Sequence, residues 1–192
     1  MENHDKRSRM ILCVGMFNNK KTLSIEGVFC YSRGTMKEEK ILVIIKPDAI
    51  VRGLIGEVYT RFERKGFKVI GTKMIELGDV LLDDHYSHLK DKPFFKGIKE
   101  FMTSSPVMLI ALAGVNASAA ARLIAGQTAG HEADAGTIRG DFAMSIQSNI
   151  VHVSDTTENG EIEVARFFNE NELFIYKRAD ERFVYSDVHE DF

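Results

Sequence analysis

The chain has 192 residues, enough for one domain with a sizeable core and few for more. Lys and Arg number 25 against 28 Asp and Glu, a formal net charge of −3, so no global basic field recruits nucleic acid or an anionic membrane and any phosphate binding is local. No apolar run approaches the roughly 18–20 residues of a membrane-spanning helix, and the two cysteines, Cys13 and Cys30, permit a reducing compartment, with cytoplasm the default.

Residues 10–17 form a short apolar run after Lys6, Arg7 and Arg9. It is followed by Asn18, Asn19, Lys20 and Lys21 instead of a small-residue cleavage site, so a secretory signal is disfavoured. Residues 1–37 are read as a poorly ordered extension, or as sequence upstream of a true start at Met36. A β-branched apolar run at 41–45 suits a strand covered on both faces, and Pro47 holds Lys46 extended where that strand meets a loop. Ile55, Val58, Tyr59 and Phe62 recur at helix spacing, closed by Gly66. A strand follows at 69–77, then two shorter helices at 79–89 and 93–102.

Residues 107–113 form a third strand, 117–125 an alanine-rich helix carrying Arg122, and 126–140 a long irregular loop. A fourth strand spans 149–153, and Asp155 with Glu158 reads as a capping box opening a helix to about residue 168. Strand, helix, strand, strand, helix, strand is the α+β, ferredoxin-like βαββαβ order: a four-stranded antiparallel sheet with flanking helices. The expected organisation is an extension over 1–37, a catalytic domain over 38–176 and a tail over 177–192 whose end is mobile.

Chemistry concentrates in Gly136-Thr137-Ile138-Arg139-Gly140-Asp141-Phe142 and in Asn149-Ile150-Val151-His152-Val153-Ser154-Asp155. An arginine between glycines can bring a planar, permanent charge close to a phosphate. His152 ends a short apolar run, and a strand-end imidazole is a competent nucleophile at neutral pH. Glu163, about two turns into the next helix, can hold that ring in one orientation.

These segments resemble the signature of the nucleoside diphosphate kinases, in which a strand-end histidine carries phosphate between nucleotides. Ile45-Lys46-Pro47-Asp48-Ala49, Arg52-Gly53, His85-Tyr86, Lys92-Pro93-Phe94-Phe95 and the stretch from Arg122 to Thr128 fall in the family's order, and the resemblance covers residues 40–168. It implies ping-pong transfer of the terminal phosphate from a nucleoside triphosphate to a diphosphate through phosphorylated His152, with Lys46, Tyr86 and Glu163 assisting. Lys46, Arg122, Arg139 and Thr128 would hold the phosphates, and Asn149 the sugar. Phe94 and Ile146 would flank the base, a π-stacking platform that accepts any base. Mg2+ would be carried on the nucleotide phosphates, with no metal ligands from the protein. His85 and His88 alone make a weak zinc pair. A homo-oligomer, hexamer or tetramer of dimers, is implied too.

The chain departs from the family where a glycine usually follows the nucleophile: Val153 stands there, strained should that position need positive φ. Ala129-Gly130 and Ala135 replace expected prolines, so the 126–140 loop is expected to be looser. Competing readings are a ferredoxin-like RNA-binding module, which needs exposed aromatics on adjacent strands, and a catalytically silent interaction protein.

Overall fold

A computed structural model describes residues 38–185. The expected extension over 1–37, with both cysteines and Met36, and the tail's end at 186–192 lie outside the described residues. Four strands form one antiparallel sheet in the order β2-β3-β1-β4: β1 (Glu38–Ile45), β2 (Lys68–Ile75), β3 (Val107–Val115) and β4 (Val151–Val153).

β1 lies inside the sheet, and Ile41 through Ile45 have no exposed surface. Alternation sends Ile41, Val43 and Ile45 to one face and Leu42 and Ile44 to the other, and each face has its own layer. On the first face lie α2 (Ile55–Lys65), through Val58 and Phe62, and α5 (Ala117–Ala125), through Ala117, Ala121 and Ala125. On the second lie α3 (Asp79–His85), α4 (Phe95–Met102) and α7 (Thr157–Phe167), through Leu82, Met102, Val164 and Phe167. Each large side chain so buried contributes about 1.5–3 kcal/mol. Among the described residues, neither of the inner strands β1 and β3 presents an exposed aromatic side chain for stacking RNA bases, so that reading is not favoured.

Strand register and one glycine place the groups around His152. Ile44 of β1 faces His152 of β4, so Lys46 leaves the sheet two residues beyond the histidine's partner. A Cβ on Gly160 would stand 2.3 Å from the Lys40 carbonyl; glycine there lets α7 lie close over β1. Val164 and Phe167 then point into the core, and Glu163 reaches β4.

The elements differ from the expectations in a few places. Two five-residue helices, α1 (Pro47–Val51) and α6 (Ile138–Phe142), stand where loop is expected; α1 has proline in its first turn and α6 is capped by Thr137 Oγ1, which accepts from Gly140 N at 3.0 Å. The cap of α7 is Thr156, which accepts from Asn159 N at 3.1 Å, and not Asp155, which instead accepts from Asn159 Nδ2. β4 begins at Val151, two residues later than the apolar run suggests. Residues 174–178 run beside β2 and the turn before it: Phe174 N donates to Ile70 O, Tyr176 Oη to Val69 O and Arg178 Nη1 to Phe67 O; α8 (Glu181–Val184) follows, and Tyr185 Oη donates to Gly66 O at the end of α2.

Candidate active site

β4 is entered through a tight turn. Val151 N donates to Asn149 O at 2.8 Å across Ile150, whose φ is 74°: a γ-turn of the strained hand, in a β-branched residue. Such a turn costs of the order of 1–3 kcal/mol and persists where its surroundings over-determine it. They do so here. Asp48 Oδ2 accepts from Ile150 N at 3.0 Å, and Lys46 N donates to Ile150 O at 2.9 Å. Arg139 donates to the carbonyls of Asn149, Val151 and Gly126 at 3.3, 2.8 and 2.7 Å. The strain thus precedes the nucleophile candidate. Val153 does not have positive φ; it is a buried core residue of β4, and the concern over glycine at this position does not apply.

His152 Nε2 lies 3.2 and 3.1 Å from the two oxygens of Glu163. Ser154 Oγ donates to Glu163 Oε2 at 2.6 Å and accepts from Leu42 N at 3.0 Å. Burial, the largest influence on Glu163, pushes its carboxyl up, but the hydrogen bond and charge of His152, with Ser154, prevail and hold it below the usual carboxylate value. A carboxylate facing Nε2 selects the tautomer with the proton there, so Nδ1 keeps the lone pair. Behind this pair stands His85, its ring 4.7 Å from that of His152, edge-on. Burial first, then His152, pushes His85 down to about 3. Burial and the Glu163 charge push the Tyr86 phenol up, which keeps it a hydroxyl.

These groups open on a cleft of about 950 Å³, a size suited to a small molecule. Its cationic wall holds Lys46, Arg122 and Arg139. Lys46 Nζ donates to Asn149 Oδ1 at 2.6 Å, while burial and then Arg139 lower it to about 8, against Asp48. Burial and then Arg122 lower Arg139 to about 10. Mutual repulsion among desolvated cations is relieved by an anion. Phe94, the residue before α4, and Ile146 also line the cleft and are 53% and 63% exposed; large apolar side chains left open this way can pack on an apolar or flat ligand.

All of the anticipated site residues, His152, Lys46, Tyr86, Glu163, Phe94, Arg122, Thr128, Arg139, Ile146 and Asn149, line this one cleft. Thr128 is held through its carbonyl, which accepts from Asn149 Nδ2 at 2.9 Å. Arg139 is buried and spends three donors on carbonyls, so it shapes the turn as well as charging the wall. Phe95, next to Phe94, is half-buried, with Lys99 Nζ 5.9 Å over its ring. His88 is exposed and does not join His85. Among the described residues the group with metal-ligand spacing is His85, His152 and Glu163, whose oxygens already meet His152 and Ser154.

Sequence reasoning misses several supports. Asp48 sits within a motif but gains no role from it. Arg61 donates to Gly136 O at 3.1 Å and to Asp141 Oδ2 at 2.6 Å, and Gly136 N donates to Asp141 Oδ1 at 2.8 Å. Gly130 N donates to Ser145 O, a bond that proline lacks, and a Cβ there would meet Ala143 at 2.5 Å. The 126–140 loop therefore has its own anchors in place of the prolines.

The nucleoside diphosphate kinase family model matches residues 39–173. The chain is 52% identical over 139 residues to the nucleoside diphosphate kinase of Parabacteroides distasonis, covering 72% of this chain and 91% of that one. It is 44% identical over 150 residues to that of Pyrococcus abyssi, covering 77% and 94%. Among solved structures, it resembles a halophilic nucleoside diphosphate kinase from Halobacterium salinarum in complex with CDP, with TM-score 0.75 and 38% identity, covering 78% of this chain and 99% of that one. It also resembles a transition-state mimic of the Borrelia burgdorferi enzyme with bound vanadate and ADP, with TM-score 0.73 and 33% identity, covering 77% and 97%.

Proposed function

The chain belongs to the nucleoside diphosphate kinase family and transfers phosphate between nucleotides, and we propose that Nδ1 of His152 is the atom that carries the phosphate. The observation that supports this most is the His152 Nε2 contact to both Glu163 oxygens, at 3.2 and 3.1 Å, beside a cationic cleft. With the proton held on Nε2, the Nδ1 lone pair attacks the terminal phosphorus in line. The bond to the bridging oxygen breaks, and the nucleoside diphosphate leaves with that electron pair. The phosphorylated imidazole gains positive character, which Glu163 balances. A second nucleoside diphosphate then attacks the phosphorus through a terminal oxygen, and His152 regains its lone pair. Little covalent help is needed beyond the nucleophile, so placed charge and alignment supply most of the catalysis.

In this reading Lys46, Arg122, Arg139 and Thr128 hold the phosphates, Asn149 the sugar, and Tyr86 places its hydroxyl near the transferred group. Phe94 and Ile146 flank the base and accept any base. The divalent cation is Mg2+ and enters with the nucleotide. The proposed phosphate groups are donors and Asp48 does not line the cleft, so these residues would leave such an ion on the nucleotide, where it would neutralise phosphate charge.

The strand order supports the ferredoxin-like assignment. The catalytic domain runs over 38–176, between an extension and a tail. The protein works as a homo-oligomer in the cytoplasm, and among the described residues no helix is long and apolar enough to cross a membrane.

A coupled assay of transfer from ATP to a different nucleoside diphosphate tests the reading. Parallel double-reciprocal plots, lost in His152→Ala, are expected. Intersecting plots, which indicate direct transfer within a ternary complex, contradict it.

A further inference from the structure

Glu163 and Arg166 stand three residues apart on α7, a spacing at which a carboxylate and a guanidinium on one helix ordinarily pair. Among the described residues they do not pair. Glu163 bonds to His152 and Ser154, while Arg166 Nε donates to Asp84 on α3. The ring of His85 stands between them. Its Nδ1 is 3.5 Å from Arg166 Nη1 and 3.8 Å from Glu163 Oε1. Arginine only donates, so Nδ1 faces it with a lone pair and the proton sits on Nε2, which is buried and has no partner. Edge-on contacts at 4.6, 4.7 and 5.2 Å to Tyr86, His152 and Phe167 fix the plane of the ring. Burial, then His152, then Arg166 lower this histidine to about 3 against the pull of Glu163, so it stays neutral at working pH.

We propose that His85 is a positioning residue for the transfer: with Asp84 it wedges Arg166 away from Glu163, so that the carboxylate's charge stays on Nε2 of His152. The orphaned Nε2 is intelligible on this view. The ring is retained for what it keeps apart, at the expense of one unsatisfied donor. Were Arg166 to close on Glu163, the carboxylate would be shared with a permanent cation, and the electron density it lends to the imidazole would fall.

The inference rests on His152 as phosphate carrier, so the test separates the two. Phosphorylation of the full chain by γ-labelled ATP is followed in single turnover. Label on the parent and none on His152→Ala establishes the carrier. His85→Ala, Asp84→Asn, Arg166→Gln and the doubles His85→Ala/Arg166→Gln and Asp84→Asn/Arg166→Gln are then compared. His85→Ala is expected to slow phosphorylation about tenfold with little change in half-saturation by ATP. Its double with Arg166→Gln is expected to return to within about threefold of Arg166→Gln alone, because the competing cation is gone. Asp84 is largely exposed and touches Arg166, so Asp84→Asn folds and shows the same pattern at smaller size; it decides the matter should His85→Ala not fold. Doubles no faster than the His85→Ala and Asp84→Asn singles would overturn the proposal in favour of plain packing. So would parent rates in both singles.

Discussion

Ser154 Oγ is bonded at once to Glu163 Oε2, at 2.6 Å, and to Leu42 N, at 3.0 Å, so the carboxylate facing His152 Nε2 is anchored to the middle of the sheet. Ser154→Ala leaves the buried Leu42 N–H without its acceptor, and urea unfolding should report a loss of about 1–3 kcal/mol. The folded enzyme should also lose turnover several-fold, far less than His152→Ala. The pH dependence has a definite sign. Glu163 is held below its ordinary value, so its contribution is full above the ordinary carboxylate range and is lost as pH falls through the folded value. The stability gap between parent and variant should therefore shrink in acid; a constant gap down to pH ~3 would mean that Ser154 does not act on Glu163.

Lys46 is lowered to about 8 by burial and Arg139. In the proposed role of Lys46 as a phosphate ligand, a bound triphosphate restores its charge, so nucleotide binding above that pH should take up a proton, measurable by calorimetry in buffers of different ionisation enthalpy, and KM should rise as pH climbs. In Lys46→Arg the rise should vanish from this range. Linkage runs the other way for the free protein. Between about 8 and the ordinary lysine value the unfolded chain binds more protons at this position, so this group makes stability increase with pH. Proton release on binding would contradict the assignment.

Val153 fills core space beside β1, and its backbone is not in the left-handed region. Val153→Gly, which installs the residue expected from the family resemblance, should cost about 2–4 kcal/mol in chemical denaturation through lost packing and added chain entropy. Turnover per folded molecule should change little. A gain in stability would show that the backbone after His152 is strained after all.

Much of this is legible from local pattern. The helix at 117–125 matches α5, and the β-branched run at 41–45 lies inside β1, because burial on both faces leaves a continuous apolar signature. Helices α1 and α6 escape such a reading because five residues are too short for periodicity to register and tertiary bonds hold them. Ile150 reads as strand since β-branching favours extension; contacts from Asp48, Lys46 and Arg139 override it. The residues named from the motifs line one cleft. The link between Asp84, His85 and Arg166 could not be read, since nothing in sequence announces that α3 and α7 meet there. The spacing of Glu163 and Arg166 is the one signal, and it points to a pair that does not form.

Phe94 lines the cleft and is more than half exposed, as is Ile146. Phe94→Ala should remove base stacking worth about 1–3 kcal/mol, raising KM for purine and pyrimidine nucleotides alike with a smaller effect on kcat. Steady-state kinetics with ATP, GTP and CTP as donors checks this. A KM unchanged for all three would remove Phe94 from the base slot.

The central claim is that phosphate passes through Nδ1 of His152, and mapping the phosphoenzyme tests it most directly. Brief incubation with γ-labelled ATP, then fragmentation at alkaline pH and NMR assignment of the phosphorus–nitrogen bond, should place one acid-labile, base-stable phosphate on Nδ1 of His152, chased off by any nucleoside diphosphate and missing from His152→Ala. Label on another residue, on Nε2, or persisting in His152→Ala would contradict the account.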